Sequence, residues 1–347
     1  MKRKIAILTA LMAVLPLLQG CQTKTRQHTF FAMDTVCSVQ LPDTKQSQEL
    51  LSRAEALVRK IEDEYSKTKE SGLPQKLTAA GGIITLDDEQ AAFFAQILSV
   101  CEMTDGAFDP TLGAVSALWD FGGENEKVPT SAEREEALLH TGYKKLHLGG
   151  RTLHCDDPWL RLDLGGAAKG YAAQKLFELL QGQTDYAVIN LGGNIALLGE
   201  KKDGSPFTVG IRSPFDGDKL SGTLTLDAPA FLSVSGNYER FFEKDGKRYH
   251  HILSPKDGMP AENGVASVCV ISRDGALSDM LSTALFVMGA EKAAAFWKDN
   301  GSLFDAVIML QNGEVICSDT IASAFLTADG TAAGTFSSML NDLEVGG

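Results

Sequence analysis

The chain has 347 residues, of which 44% are hydrophobic and 22% charged. That balance is globular and excludes the disordered, collagen-like and coiled-coil classes. With 32 Lys and Arg against 45 Asp and Glu, the net charge is −13, which leaves no electrostatic footprint for nucleic acid. No two of the six cysteines stand at CxxC spacing, so a zinc ribbon or thioredoxin motif is excluded as well. Cys37, Cys101, Cys269 and Cys317 lie in apolar patterns and are expected to be buried.

At the N-terminus, Lys2, Arg3 and Lys4 precede an apolar run over 5–18, broken only by Thr9 and Pro16. The run falls short of the ~20 residues that span a bilayer and has the shape of a secretory signal peptide. It ends in Leu18-Gln19-Gly20-Cys21, which resembles the lipobox of bacterial lipoproteins, with Cys21 the residue to be lipidated. Plain secretion with an incidental thiol is the alternative. The expected organisation is a lipoprotein signal peptide over 1–20, a polar tether over 21–28 and one domain over 29–340. Lipid anchoring would place that domain outside the cytoplasm, on the cell membrane.

Polar and apolar residues alternate over 35–41 as in a strand, and 46–65 carries apolar residues at helical spacing. Further helices are expected over 88–104, opened by Asp87 or Asp88, and over 131–140. Residues 145–155 read as a hairpin around Gly149-Gly150, followed by a helix over 165–180 and a strand over 186–190. Strands follow over 207–212, 220–226 and 231–234. A hairpin over 240–252 turns at Asp245-Gly246. A strand over 265–272 leads into a helix over 275–288. A shorter helix from Glu291 and two strands, 306–310 and 314–317, complete the pattern. Strands that meander in hairpins argue for α+β with antiparallel sheet, not a doubly wound nucleotide fold.

Four strings could carry chemistry. DLGGAAKGY over 163–171 sits at a strand-to-helix junction, where glycines admit a ligand and free N–H groups attract phosphate. It matches neither GxGxxG nor GxxxxGK[ST], so a tight packing turn is an equal reading. NLGGN over 190–194 ends another apolar strand. SVSGNYER over 233–240 precedes the hairpin that delivers His250 and His251, which point to opposite faces of a strand. In the helix over 275–288, Asp279 and Thr283 share one face among apolar neighbours. A carboxylate there needs a partner, and a cation, a cap or a buried salt bridge would each supply one.

Together these strings resemble the ApbE-type FAD:protein FMN transferase family. Its pattern of an early Met-Gly-Thr, DGxFDPT, DLGGxAKGY, NxGG, a Ser-Gly-Asp-Tyr-Glu-Arg stretch, HHIxDPxTGxP and DAxxTALFVxG is matched in order over roughly 28–320. The resemblance implies an α+β fold with two related subdomains, whose antiparallel sheets flank an FAD-binding cleft. It implies Mg²⁺-dependent cleavage of FAD and transfer of FMN to a threonine of an exported or membrane flavoprotein, with release of AMP. Acceptors of that kind include subunits of sodium-pumping NADH:quinone oxidoreductase (Nqr) and of Rnf complexes. A Mg²⁺-dependent FAD pyrophosphatase and a non-enzymatic FAD-binding lipoprotein are the alternatives.

By position, the resemblance makes Asp279, Thr283 and the Gly166 carbonyl metal ligands, with Ser282 a weaker candidate. Met33, Ala107, Phe108, Asp109, Asp163, Lys169, His251 and Ile252 fall where FAD is held, and His251 also where the acceptor hydroxyl is deprotonated. The chain departs from the pattern at four places. Asp34 replaces a glycine, implying a backbone less able to approach the flavin, and Thr68 stands where an aromatic would stack on the cofactor. Asn237 and Ser254 each replace an aspartate.

Overall fold

The computed structural model describes residues 24–346, so the signal peptide and Cys21 lie outside the described residues. Its centre is a nine-stranded sheet. Across it run Thr25–Ala32, Thr35–Pro42, Tyr186–Leu191, Asn194–Gly199, Ala230–Gly236, Val265–Ser272, Phe304–Leu310, Val315–Cys317 and Gly334–Thr335. Every neighbouring pair is antiparallel except the last, which is parallel. The antiparallel α+β reading therefore holds, with one continuous sheet running through both halves of the chain.

Two layers cover this sheet. The helices Ser47–Tyr65, Ala168–Leu180 and Gly275–Met288 pack on one face and build the main core. A three-stranded sheet of Phe207–Arg212, Leu220–Leu226 and Phe325–Thr327 closes the other. Val265–Ser272 is consequently buried along its whole length: Val268 and Val270 face the helices, Cys269 and Ile271 the small sheet. A third cluster, around Trp119, Val115 and Leu253, sits under the hairpin of Phe241–Lys244 and Lys247–His250.

Several boundaries differ from those the sequence suggested. The segment expected as tether enters the sheet at Thr25, because Thr25 to His28 pair with Pro42 to Val39 although their side chains are mostly exposed. Polarity marked them as linker; edge position explains it. The helix expected from residue 165 begins at Ala168, and Gly165-Gly166-Ala167 form a turn in front of it. The tail ends in a helix, Phe336–Gly346, whose Phe336 is fully buried. Five free cysteines, among them Cys155, are buried among the described residues.

The two helices that carry the DLGGAAKGY and Asp279 motifs touch backbone to backbone. A Cβ built on Gly170 would lie 2.1 Å from the Gly275 carbonyl oxygen and 2.5 Å from Asp279 Cβ. One built on Gly275 would lie 2.5 Å from the Gly170 carbonyl oxygen. Only glycine permits this approach, and neither neighbour is a flexible side-chain end. Gly170→Ala is therefore expected to lower unfolding stability by roughly 2 kcal/mol or more, the cost of overpacking a rigid contact. Urea denaturation checks this; an unchanged midpoint would mean that the helices separate freely.

Candidate active site

The Ala168–Leu180 helix begins with an irregularity that shapes the site. In a continuous helix the Gly170 N–H would donate to the Gly166 carbonyl, four residues back. Here it donates to Asp279 Oδ2 at 2.8 Å. The Gly166 carbonyl is thereby left without its helical donor, and Asp279, only 2% exposed, has a hydrogen bond to one carboxylate oxygen. Its other oxygen, Oδ1, lies 3.9 Å from Lys169 Nζ, which donates to the Gly165 carbonyl at 3.1 Å. A Cβ on Gly166 would sit 3.1 Å from Thr283 Oγ1 and 3.2 Å from the Phe108 ring. Gly166, Asp279 and Thr283 are thus brought together.

The hydroxyls behind them are ordered. Ser282 is fully buried; it donates to the Asp279 carbonyl at 2.8 Å and shares a 2.8 Å hydrogen bond with Ser235. Ser235 also lies 3.4 Å from Thr283 Oγ1. Ser282 therefore braces the helix against the central sheet, and Thr283 is left partly open.

Asp163 ties three segments together. Its Oδ2 accepts from Lys67 Nζ at 2.6 Å and Ser116 Oγ at 2.9 Å, and its Oδ1 from the Gly165 N–H at 3.1 Å. Burial opposes its ionisation, but the Lys67 charge and these hydrogen bonds outweigh burial and hold the carboxyl below its ordinary range. Asp109 is engaged within its own turn: Oδ1 accepts from the Thr111 N–H and hydroxyl at 2.8 and 2.5 Å, Oδ2 from the Tyr143 N–H at 2.9 Å. Burial nonetheless pushes its carboxyl up. Asp109 shapes the turn that brings Phe108 against Gly166, with Ala107 half-buried beside it.

Met33 and Asp34 form the two-residue turn between the first two strands, with φ of 52° and 57°. Both central residues of a type I′ turn require this left-handed region, and aspartate tolerates it better than most residues. Asp34 thus keeps the conformation that glycine would supply. Its Oδ2 lies 3.7 Å from Arg240 Nη2. Thr68 bonds to Ser66 in the loop that also carries Lys67.

His251 follows the hairpin directly. Its backbone N–H donates to the Arg240 carbonyl at 3.1 Å, and its Nδ1 lies 3.2 Å from the same oxygen. An acceptor at that position selects the tautomer with Nδ1 protonated and leaves Nε2 as a base. Burial first, then the charges of Arg240 and Lys169, push its pKa down to about 3. Ile252 is buried in the main core and accepts from the Ala261 N–H at 2.9 Å, which anchors the histidine. Its neighbour His250 is buried against Phe286 on the opposite face.

Lys67 and Ser116 join this constellation from outside the strings singled out in the sequence, and Gly170, Ser235 and Glu239 from within them, where no role was assigned to them. Glu239 reaches solvent beside Gly193, and desolvation raises its pKa to about 7 against the opposing charges of Lys169 and Arg240. A surface depression of about 530 Å³ lined by Leu73, Lys76, Ile84 and Gln90 contains none of these residues. The site is therefore defined by convergent groups, not by cavity size.

Fold and site together define an antiparallel α+β protein with a buried carboxylate, a freed carbonyl and a neutral histidine around a glycine-rich turn. The ApbE family model matches residues 33–308. FAD:protein FMN transferases of Klebsiella pneumoniae and Treponema pallidum are 34% and 31% identical, covering 78% and 81% of this chain and 84% of each relative. The crystal structure of the ApbE protein from Thermotoga maritima superposes with a TM-score of 0.80 at 31% identity, covering 87% of this chain and 99% of that one. The Pseudomonas stutzeri flavinyl transferase ApbE, in its apo form, gives 0.77 at 28% identity, with 89% and 99% covered. The chain belongs to the ApbE family.

Glu239 and His251 make opposite predictions about pH. His251, already neutral well above pH 3, contributes no inflection between pH 5 and 8. Glu239 is neutral below about 7 and charged above it, where it repels an anionic ligand beside Lys169. FAD affinity is expected to fall as pH rises through 7, and Glu239→Gln to flatten that dependence. Fluorescence titration of FAD from pH 5 to 9 checks this; an inflection that persists in Glu239→Gln refutes it.

Proposed function

We propose that this protein transfers FMN from FAD to a threonine hydroxyl of an exported or membrane flavoprotein and releases AMP. The observation that carries the reading is the diverted Gly170 N–H, which frees the Gly166 carbonyl beside Asp279 and Thr283. Among the described residues, no three His, Cys, Asp or Glu side chains cluster as a metal site. A carboxylate, a hydroxyl and a carbonyl instead form an all-oxygen donor set, which suits a hard cation that keeps positions for phosphate and water. Mg²⁺ bound there would neutralise the FAD pyrophosphate and the charge that develops on the leaving AMP.

The chain's own residues do the rest. Lys169 places positive charge beside that carboxylate, and Asp163, held by Lys67, fixes the turn that bears Gly166. His251 Nε2 accepts the proton of the attacking hydroxyl, while its Nδ1–H stays directed at the Arg240 carbonyl. The threonine oxygen bonds to the FMN phosphorus as the bond to the AMP oxygen breaks. Activation of a weak nucleophile by a placed base is worth ~10²–10⁴ in rate.

Incubation with FAD, Mg²⁺ and a soluble domain of an Nqr- or Rnf-type subunit, followed by mass spectrometry, tests the reading. Flavinylated acceptor and AMP are expected. Free FMN without modified acceptor would convert the activity to FAD hydrolysis, and unaltered FAD would leave only binding. Asp279→Asn should fold normally and abolish AMP release. His251→Ala should retain FAD affinity and lose ~10²–10⁴ in transfer. Wild-type rates in Asp279→Asn would place the cation elsewhere.

We further infer that the chain is a lipoprotein held at the outer face of the membrane through a thioether on Cys21. The lipobox-like string supports this, and no helix among the described residues is long and apolar enough to cross a membrane. Cys21→Ala should move the protein from the membrane fraction to the soluble one. A wild-type protein that is soluble and unlipidated when isolated from cells would contradict it.

A further inference from the structure

The chain joins the domain at a fixed point. The Lys24 carbonyl accepts from the Asp43 N–H at 2.7 Å, and Thr25 pairs with Pro42 at the start of the first strand. Cys21 stands three residues before Lys24. Even fully extended, that stretch of polypeptide spans at most ~11 Å. A lipid on Cys21 therefore holds this point close to the bilayer surface, nearer than the length of the strand that follows.

The register shows what shares that end of the central sheet. Thr25 pairs with Pro42, Gln40 with Val188, Tyr186 with Gly199, Ala230 with Leu197 and Phe231 with Ser272. The strand ends at Thr25, Pro42, Tyr186, Gly199, Ala230 and Ser272 therefore lie in one row. Groups around the site belong to the other end: the Met33-Asp34 turn, Gly192-Gly193, and the exit of Ala230–Gly236 toward Glu239 and Arg240. A Cβ on Gly192 would lie 2.1 Å from Thr35 Oγ1, so the first two of these turns touch. Between the rows runs the strand Thr25–Ala32, whose seven steps measure ~23 Å. Charge at the entry end is mixed, with exposed Lys24 and Lys45 against exposed Asp185 and Glu200. Headgroup attraction, which needs a cluster of cations, therefore does not set the contact. The covalent tether does.

We propose that a lipid bilayer covers the Thr25 end of the central sheet and that the site is turned away from it; this rests on the lipid-anchor reading. The first strand runs from the anchored point straight into the sheet and carries the site turns outward. A nucleotide or polypeptide entering the site then comes from the aqueous side, about a strand's length from the headgroups.

A dye at either end of the sheet reads the arrangement. Lys45→p-acetylphenylalanine labels the entry end. Asn312→p-acetylphenylalanine labels the exposed turn that follows Phe304–Leu310 at the site end. Both take a hydroxylamine dye that leaves cysteines untouched. The lipidated protein, isolated from membranes, is placed on phosphatidylcholine–phosphatidylglycerol vesicles whose headgroups carry a nitroxide. The dye at 45 should lose most of its emission and the dye at 312 almost none, because quenching needs contact and ~23 Å separates the ends. Equal loss at both positions, as in a sheet lying flat, or greater loss at 312 overturns the proposal. A flexible Gly-Ser insert of about 20 residues between Thr23 and Lys24 should erase the difference. A difference that survives the insert overturns the tether as its cause. Mass spectrometry of the wild-type protein for a diacylglyceryl group on Cys21 separates the two readings. Its absence contradicts the anchor reading alone, and orientation is then measured on the chain from Cys21 onward, coupled to a maleimide phospholipid. The five described cysteines are buried, so Cys21 takes the maleimide. Loss at 45 alone upholds the proposal there as well, and any other pattern overturns it.

Discussion

One hydrogen bond organises the centre of this protein: the Gly170 N–H donates to Asp279 and not to its own helix. It exists because Gly170 and Gly275 let two helices meet at their backbones, which brings Asp279 to the first turn of its neighbour. A buried carboxylate without a partner would be costly, and this N–H supplies one. The same bond delays the start of the Ala168–Leu180 helix and leaves the Gly166 carbonyl available. Core packing and the proposed cation site therefore rest on a single contact.

The charge distribution follows from that arrangement. A chain of net charge −13 repels a dianionic pyrophosphate at long range, so the site needs local cations. Lys67, Lys169 and Arg240 converge on it from three segments far apart in sequence, each beside a carboxylate or carbonyl that orients it. Arg240 and Lys169 also act on His251, since their charge adds to burial in keeping the imidazole neutral. The same cations thus present positive charge to an anion at the site and keep the imidazole neutral.

Much of this was legible in the sequence, and the remainder has physical reasons. The Gly275–Met288 helix and the Phe207–Arg212 and Val265–Ser272 strands fall where periodicity puts them, because long runs of regular pattern reflect burial. Gly166, Asp279 and Thr283 come from two strings that the sequence already set apart, and the contact between their helices brings them together. Spacing alone left Asp279 open between cation, cap and salt bridge. Thr25 to His28 were misread because an edge strand can be polar on the side chains that composition records. Lys67 and Ser116 were invisible for another reason: they reach Asp163 from 96 and 47 residues away, and no local pattern encodes such a contact. Asp34 seemed a liability by residue type, and its backbone angle shows that the turn geometry is kept.

The proposed function requires a cation held by Asp279, Thr283 and the Gly166 carbonyl. Crystals of the wild-type protein soaked with FAD and Mn²⁺, measured at the manganese edge, test it most directly. The account predicts one anomalous peak within coordination distance of Asp279 Oδ1, Thr283 Oγ1 and the Gly166 carbonyl oxygen, adjacent to the pyrophosphate. A peak beside other residues, or bound FAD with no peak at this position, would contradict it.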